Sequence, residues 1–150
     1  MNKLTIKNKS LFCFKFEQDF LNILKEAKEE FGSKKNLSVD LLFVNKFKMK
    51  KLNNVYRNKN YTTDILSFPL EAANELDFLD YLELGQIIIS PWKIKKQARE
   101  FNHSLRREFC YIFAHGVAHL FGFDHQTEEE TKIMNGHVDN IMAKLGINRY

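Results

Sequence analysis

In Leu84-Gly85-Gln86-Ile87-Ile88-Ile89-Ser90-Pro91 a run suited to a strand meets a residue suited to starting a helix. Branched isoleucine side chains fit a pleated surface, whereas Pro91 fits the first helical turn, where its missing N–H is no loss. One strand therefore passes directly into a helix. On the C-terminal side, Ser104 can cap a further helix whose apolar face is traced by Leu105, Phe109, Ile112, Phe113 and Leu120, with Gly122 where its last turn should end. Thr127-Glu128-Glu129-Glu130 reads as a capping box, and Met134, Val138, Ile141, Met142 and Leu145 form the buried stripe of a closing helix. On the N-terminal side, Asp64 to Pro69 reads as an edge strand stopped by proline. The stretch from there to Leu84 carries Glu71, Glu75, Asp77, Asp80 and Glu83 without a base and reads as a solvated loop.

Further back, Asn45 to Thr63 is basic throughout and helical through Met49, Leu52 and Val55 to Arg57. Leu37, Val39, Leu41 and Phe43 alternate as a strand with one buried face. Phe20, Leu21, Ile23, Leu24, Ala27 and Phe31 repeat at helical spacing until Gly32, and Leu11 to Phe16 reads as a short strand. Strands separated by helices favour parallel pairing, but the helices gather in the second half. The expectation is a single α+β domain over residues 1–150, with a small mixed β-sheet packed by helices.

The composition narrows the function classes. A chain of 150 residues with 44% apolar residues can bury one core, and a net charge of +4 with 28% charged residues and two prolines suits a soluble chain without a long disordered tail. Cys13 and Cys110 lack C-x-x-C spacing, so neither a disulfide framework nor a cysteine-rich zinc module is expected, and a reducing, cytoplasmic setting fits. The first residues lack the apolar core of a signal peptide, and no stretch approaches the roughly 18 apolar residues of a membrane span. Secretory and integral membrane roles are not expected.

The chemistry is concentrated in His115-Gly116-Val117-Ala118-His119-Leu120-Phe121-Gly122-Phe123-Asp124-His125. Histidines four apart on a helix share one face, with β-carbons about 5 to 6 Å apart, near enough to bind one ion. Gly122 can take the left-handed conformation that ends the helix, which lets His125 approach the same ion from outside it. Three nitrogen ligands leave one tetrahedral position open, as in catalytic rather than structural zinc sites. The spacing H-x-x-x-H-x-x-G-x-x-H is that of metzincin proteases, but Gly116 stands where those enzymes carry their glutamate base, which argues against peptidase chemistry. A glycine there would let substrate or neighbouring backbone come close to the helix. His103 and His137 fall outside the spacing and are expected to be solvated or capping.

His115 to His125 resembles the H-G-x-x-H-L-x-G-[YF]-D-H signature of the YbeY family of bacterial zinc-dependent endoribonucleases. Leu52-Asn53, Tyr56-Arg57, Thr63-Asp64-Ile65-Leu66-Ser67-Phe68-Pro69 and Leu84 to Ser90 resemble further blocks of that family. Gln86 replaces a usual acid, Ala118 a usual Leu and Thr62 a usual Pro; the loss of a carboxylate at Gln86 is the departure expected to bear on the site or its substrate contacts. The resemblance implies one Zn2+ per monomer on His115, His119 and His125, and Arg57 as a catalytic cation on the phosphate. It also implies ribosomal RNA, in the maturation of the small-subunit 3' end and ribosome biogenesis, as the substrate.

Zinc lowers the pKa of bound water from about 15.7 toward about 7 and polarises a phosphoryl oxygen, both of which phosphodiester hydrolysis needs. Guanidinium suits Arg57's role because its planar donors bind two phosphate oxygens at once. Asp124 can either orient a ligand imidazole from beyond the metal or cap the turn after Gly122. Lys93, Lys95, Lys96, Arg99, Arg106 and Arg107, with Trp92 and Phe101 interleaved, could follow an RNA backbone and stack bases. Two other readings remain open: a metal-dependent hydrolase of a non-RNA substrate, and a ribosome-assembly binding module whose metal is structural.

Overall fold

Each of these patterns can be compared with a computed structural model that describes residues 1–70 and 80–147. Among the described residues nine elements follow one another: β1 (Lys3–Asn8), α1 (Glu17–Glu30), β2 (Asn36–Phe43), α2 (Lys46–Arg57), β3 (Ile65–Pro69), β4 (Tyr81–Ile89), α3 (Pro91–Glu100), α4 (Leu105–Leu120) and α5 (Glu128–Leu145). The strands form one mixed sheet in the order β1-β2-β4-β3. β1 and β4 both run parallel to β2, and β3 returns antiparallel to β4 as the edge that Pro69 signals. The architecture is the α+β class expected.

Alternation along the strands sorts their side chains onto two faces. One face presents Leu41, Phe43, Ile65, Ile87 and Ile89 to a core shared with α1, α4 and α5, where the Phe20 and Phe113 rings stack with centroids 4.0 Å apart. Burying one such ring stabilises the fold by about 1.5–3 kcal/mol relative to leaving it in water. The other face presents Leu66 and Ile88 to a smaller cluster closed by Met49 of α2 and by Val44. α4 thus lies on the large-core face and α2 across the other.

Two sequence expectations fail in the first half of the chain and at the start of β4. Leu11 to Phe16 forms no strand; it alternates as a strand would, with Phe12, Phe14 and Phe16 turned inward and Leu11 and Cys13 outward, but it has no ladder partner. Its phenylalanines instead cap the core against Phe20, Phe43 and Phe109. The strand is Lys3–Asn8, whose exposed Lys3 and Lys7 suit the free edge of a sheet. β4 also begins earlier than Leu84, so Tyr81 to Glu83 belong to a strand rather than to the acidic loop; residues 71–79 of that loop lie outside the described residues.

β4 carries one irregularity. Register shifts between Ser38 and Val39 opposite Gly85, which has φ +134, and a Cβ at Gly85 would sit 2.1 Å from the carbonyl oxygen of Phe68. Only glycine fits there. The bulge precedes Gln86, which is exposed and pairs with Phe68 and Asp40 on the face turned away from α4. The pleat turns Gln86 away from α4 and its histidines and onto the face it shares with Phe68 and α2, which carry the other wall of the site described below.

Candidate metal centre

α4 begins where Ser104 Oγ accepts a hydrogen bond from the Arg107 backbone N–H at 3.1 Å. It ends where the Gly122 N–H donates to the His119 carbonyl and the Phe123 N–H to the Ala118 carbonyl, with Gly122 at φ +100. The chain then doubles back. Asp124 Oδ1 accepts from the His125 N–H at 2.7 Å, so this carboxylate holds the turn and positions His125 through its backbone. Of the two roles open to Asp124 in the sequence, the turn cap is the one its contact fits.

This local geometry brings His115, His119 and His125 together. Their ring centroids are 5.0 to 5.7 Å apart, and each offers a ring nitrogen within 4.8 Å of the others. Burial, with the neighbouring His119 and His125, pushes the pKa of His115 down from an ordinary 6.5 to about 4. His119 is also lowered, chiefly by burial and His125, against an opposing hydrogen bond to the Phe123 backbone. His115 Nδ1 is buried without a hydrogen-bond partner among the described residues. Three clustered imidazoles, two of them held neutral at pH 7 and one with an orphaned buried nitrogen, are a donor set suited to a divalent metal.

The trio lies in a cleft of about 1020 Å³ between the C-terminal end of α4, the edge strand β3 and the end of α2. Arg57 lines the same cleft as an exposed side chain, and its charge contributes to the lowered pKa of His119. Ile65, Ser67 and Phe68 of β3 form the facing wall, and Tyr56 of α2 packs edge-on against Phe68 with centroids 5.0 Å apart. Asp64 ties this wall in place: Oδ1 accepts from the Ile65 N–H, Oδ2 from Gln97 of α3, and its carbonyl from the Ser90 N–H. Thr62 donates its hydroxyl to the Lys46 carbonyl at 2.9 Å, anchoring the preceding loop to the start of α2. Thus Arg57, His115, His119, Asp124 and His125 all reach one cleft, and Ser67, Tyr56 and Phe68, to which the sequence assigns no role of their own, join them. The Thr63 to Pro69 block is the sequence signal that points to this last wall.

Other expectations need correcting. His103 is neither solvated nor a cap: its Nδ1 pairs with the buried carboxylate of Glu108. His137 Nδ1 lies 2.8 Å from Glu30 Oε2, linking α5 to α1, and holds the Glu30 carboxyl below its usual range. The second basic stretch is divided by its contacts. Arg106 is spent on a bidentate pair with Asp19, and Arg107 on Glu108 and the face of Tyr111, which leaves Lys95, Lys96 and Arg99 of α3 as the exposed part. Gly116 is buried against the sheet: a Cβ there would meet Ile65 Cδ1 at 2.7 Å, Ile87 Cδ1 at 3.1 Å and Ser67 Oγ at 3.3 Å. Its missing side chain lets α4 approach strand side chains, rather than the substrate or backbone expected there.

The chain matches the Endoribonuclease YbeY family over residues 3–146. It is 48% identical over 149 residues to the endoribonuclease YbeY of Mycoplasmopsis pulmonis, covering 99% of this chain and 100% of that one. The endoribonuclease YbeY of Caldicellulosiruptor bescii is 38% identical over 140 residues, covering 89% and 86% of the two chains. In fold, the chain is similar to the solution structure of TM1509 from Thermotoga maritima, with a TM-score of 0.58, 23% identity, and coverage of 95% of this chain and 91% of that one.

Proposed function

The chain belongs to the YbeY endoribonuclease family, and from that membership we propose that it is a zinc-dependent, single-strand-specific endoribonuclease acting in the cytoplasm on ribosomal RNA, in maturation of the small-subunit 3' end. The observation that carries this reading is the convergence of three imidazoles and one exposed guanidinium on a single cleft. His115, His119 and His125 would hold the ion, the first two from one helix face and the third from the turn that Asp124 fixes. When bound, the ion supplies Lewis-acid charge and an acidified water at neutral pH.

The remaining work falls to side chains of the cleft. Arg57 has the planar donors to grip two oxygens of the scissile phosphate and offset charge that develops on it. Tyr56 and Phe68 supply ring faces and edges beside that position, which suits unpaired bases rather than a closed duplex. The lowered pKa of His115 and His119 keeps protons from competing for the ligand nitrogens at pH 7. Gly116 stands at the position where H-E-x-x-H enzymes carry their glutamate base, so that route to peptide hydrolysis lacks its base.

Zinc-loaded protein offered single-stranded RNA and unstructured peptide in parallel tests the proposal. RNA should be cut, peptide left intact, and cutting should disappear on chelation and return with added zinc. RNA left intact by the loaded protein, or cut equally well after chelation, overturns it.

A further inference from the structure

A second surface, outside the histidine cleft, lies at the carboxyl ends of the parallel strands β2 and β4, where α2 and α3 begin. The two helices start from neighbouring caps: Asn45 Oδ1 accepts from the Lys48 N–H, and Ser90 Oγ from the Lys93 N–H. Between them is a hollow of about 630 Å³. Two large aromatic side chains remain in water there, Phe47 at 74% and Trp92 at 42% exposure. Lys46 Nζ lies 4.8 Å from the Trp92 ring centre and 5.2 Å from that of Phe47, so one ammonium serves both rings. Lys96 Nζ stands 5.4 Å from the same Trp92 ring, and Lys95 and Lys9 line the hollow's sides. No acidic residue lines it among the described residues.

Exposed aromatic faces interleaved with positive charge, without an acidic neighbour in the hollow, match one ligand chemistry closely. Bases have two π-faces for Phe47 and Trp92, and the phosphates that join them accept the lysine ammonium groups. An acidic peptide would use the charge but leave the rings idle, and an apolar partner the reverse. The hollow also connects with the cleft. α2 starts at Lys46 beside Trp92 and ends at Arg57, about 17 Å away at a helical rise of about 1.5 Å per residue. Along its length Lys48, Lys50 and Lys51 are exposed, and the helix holds no acidic residue.

We propose that Phe47 and Trp92, with Lys46, Lys95 and Lys96, form a stacking platform for single-stranded RNA, joined to the histidine cleft by the basic outer face of α2. The inference rests on the ribonuclease reading above, because it is RNA held in the cleft that α2 would lead to the platform. An RNA strand spanning both regions gains contacts that a short fragment confined to the cleft does not have. On binding, a base takes the place of Lys46 against a ring and the ammonium turns to a phosphate.

Trp92 is the single tryptophan of the chain, so its fluorescence reports on the platform directly. Oligo(U) of about 12 nucleotides, within the range of single-strand site sizes, should quench wild-type emission, and the affinity should fall steeply with added salt. Phe47→Ala should weaken binding of the same labelled oligonucleotide, followed by anisotropy, about tenfold, in line with the stacking energy of one base. Lys46→Gln with Lys95→Gln should lower the slope of log affinity against log salt by about 1.4, or about 0.7 for each phosphate no longer neutralised.

Emission unmoved by saturating oligonucleotide, or Phe47→Ala binding as wild type does, overturns the proposal. So does quenching by anionic phospholipid vesicles without quenching by oligo(U). Cleavage of the same oligonucleotide, measured alongside, separates the two readings. Cutting without quenching removes the platform and leaves the nuclease, whereas quenching without cutting by zinc-loaded protein removes the nuclease and leaves an RNA-binding platform.

Discussion

Arg57 reaches the cleft from the last turn of α2 as an exposed side chain, so its loss removes charge and hydrogen bonds without opening the core. A charge-assisted contact of this kind contributes about 1.5–3 kcal/mol when it is made in the transition state. Arg57→Ala should therefore lower kcat/KM for RNA roughly 10- to 150-fold while zinc content and unfolding midpoint stay at wild-type values. Arg57→Lys should recover part of the loss, since a point charge attracts phosphate but cannot bind two oxygens in one plane. Steady-state cleavage of one defined oligonucleotide by the three proteins checks this; wild-type kinetics in Arg57→Ala would remove the arginine from the mechanism.

At the level of elements, the site depends on how closely α4 lies on β3 and β4. Gly116 faces Ile65, Ser67 and Ile87, and a carboxylate there would be pressed among apolar side chains. Gly116→Glu is expected to cost about 3 kcal/mol or more of stability, read as a lowered urea midpoint, before any effect on substrate is considered. Gly116→Ala sets a gain of about 1 kcal/mol in helix propensity against displacement of Ile65 Cδ1, and should fall much nearer wild type. A Gly116→Glu protein as stable as wild type would contradict this packing. Much of this element structure is legible in spacing alone. Periodicity and caps locate α1, α3, α4 and α5, and Pro69 locates the sheet edge, because each is a local signal with a local cause. The ligand trio is equally legible, since a helix face and a glycine turn fix three histidines without help from distant residues. What escapes is set by partners far along the chain. Lys3–Asn8 is a strand because β2 lies beside it, whereas Leu11 to Phe16 has the better pattern but no neighbouring ladder. Likewise Gln86 is one residue from the inward-facing Ile87, and only the bulge and register at Gly85 decide which way each points.

Across the whole molecule, His115 and His119 tie stability to pH. An unfolded chain takes up protons near the ordinary histidine pKa of 6.5, but folded, metal-free protein resists protonating His115 until about pH 4. The unfolded state therefore holds more protons between those values, so stability is complete above about 6.5 and is lost as pH falls toward about 4. Urea unfolding of metal-free protein across this range should show the decline, and His115→Ala should flatten it. Glu30, held below its usual 4.5 chiefly by its hydrogen bond with His137, adds a loss that begins as pH falls past 4.5. A metal ion acts in the opposite sense: it binds the folded trio, and at about 1,000 times its dissociation constant adds about 4.1 kcal/mol to stability.

The central claim is that His115, His119 and His125 form one zinc site, and zinc stoichiometry by elemental analysis of purified protein tests it most directly. Wild-type protein should carry one zinc per chain, the variant with all three histidines changed to Ala should carry none, and His103→Ala and His137→Ala should keep the full equivalent. Stoichiometric zinc in the triple variant, or its loss on changing His103 or His137 alone, would contradict the account.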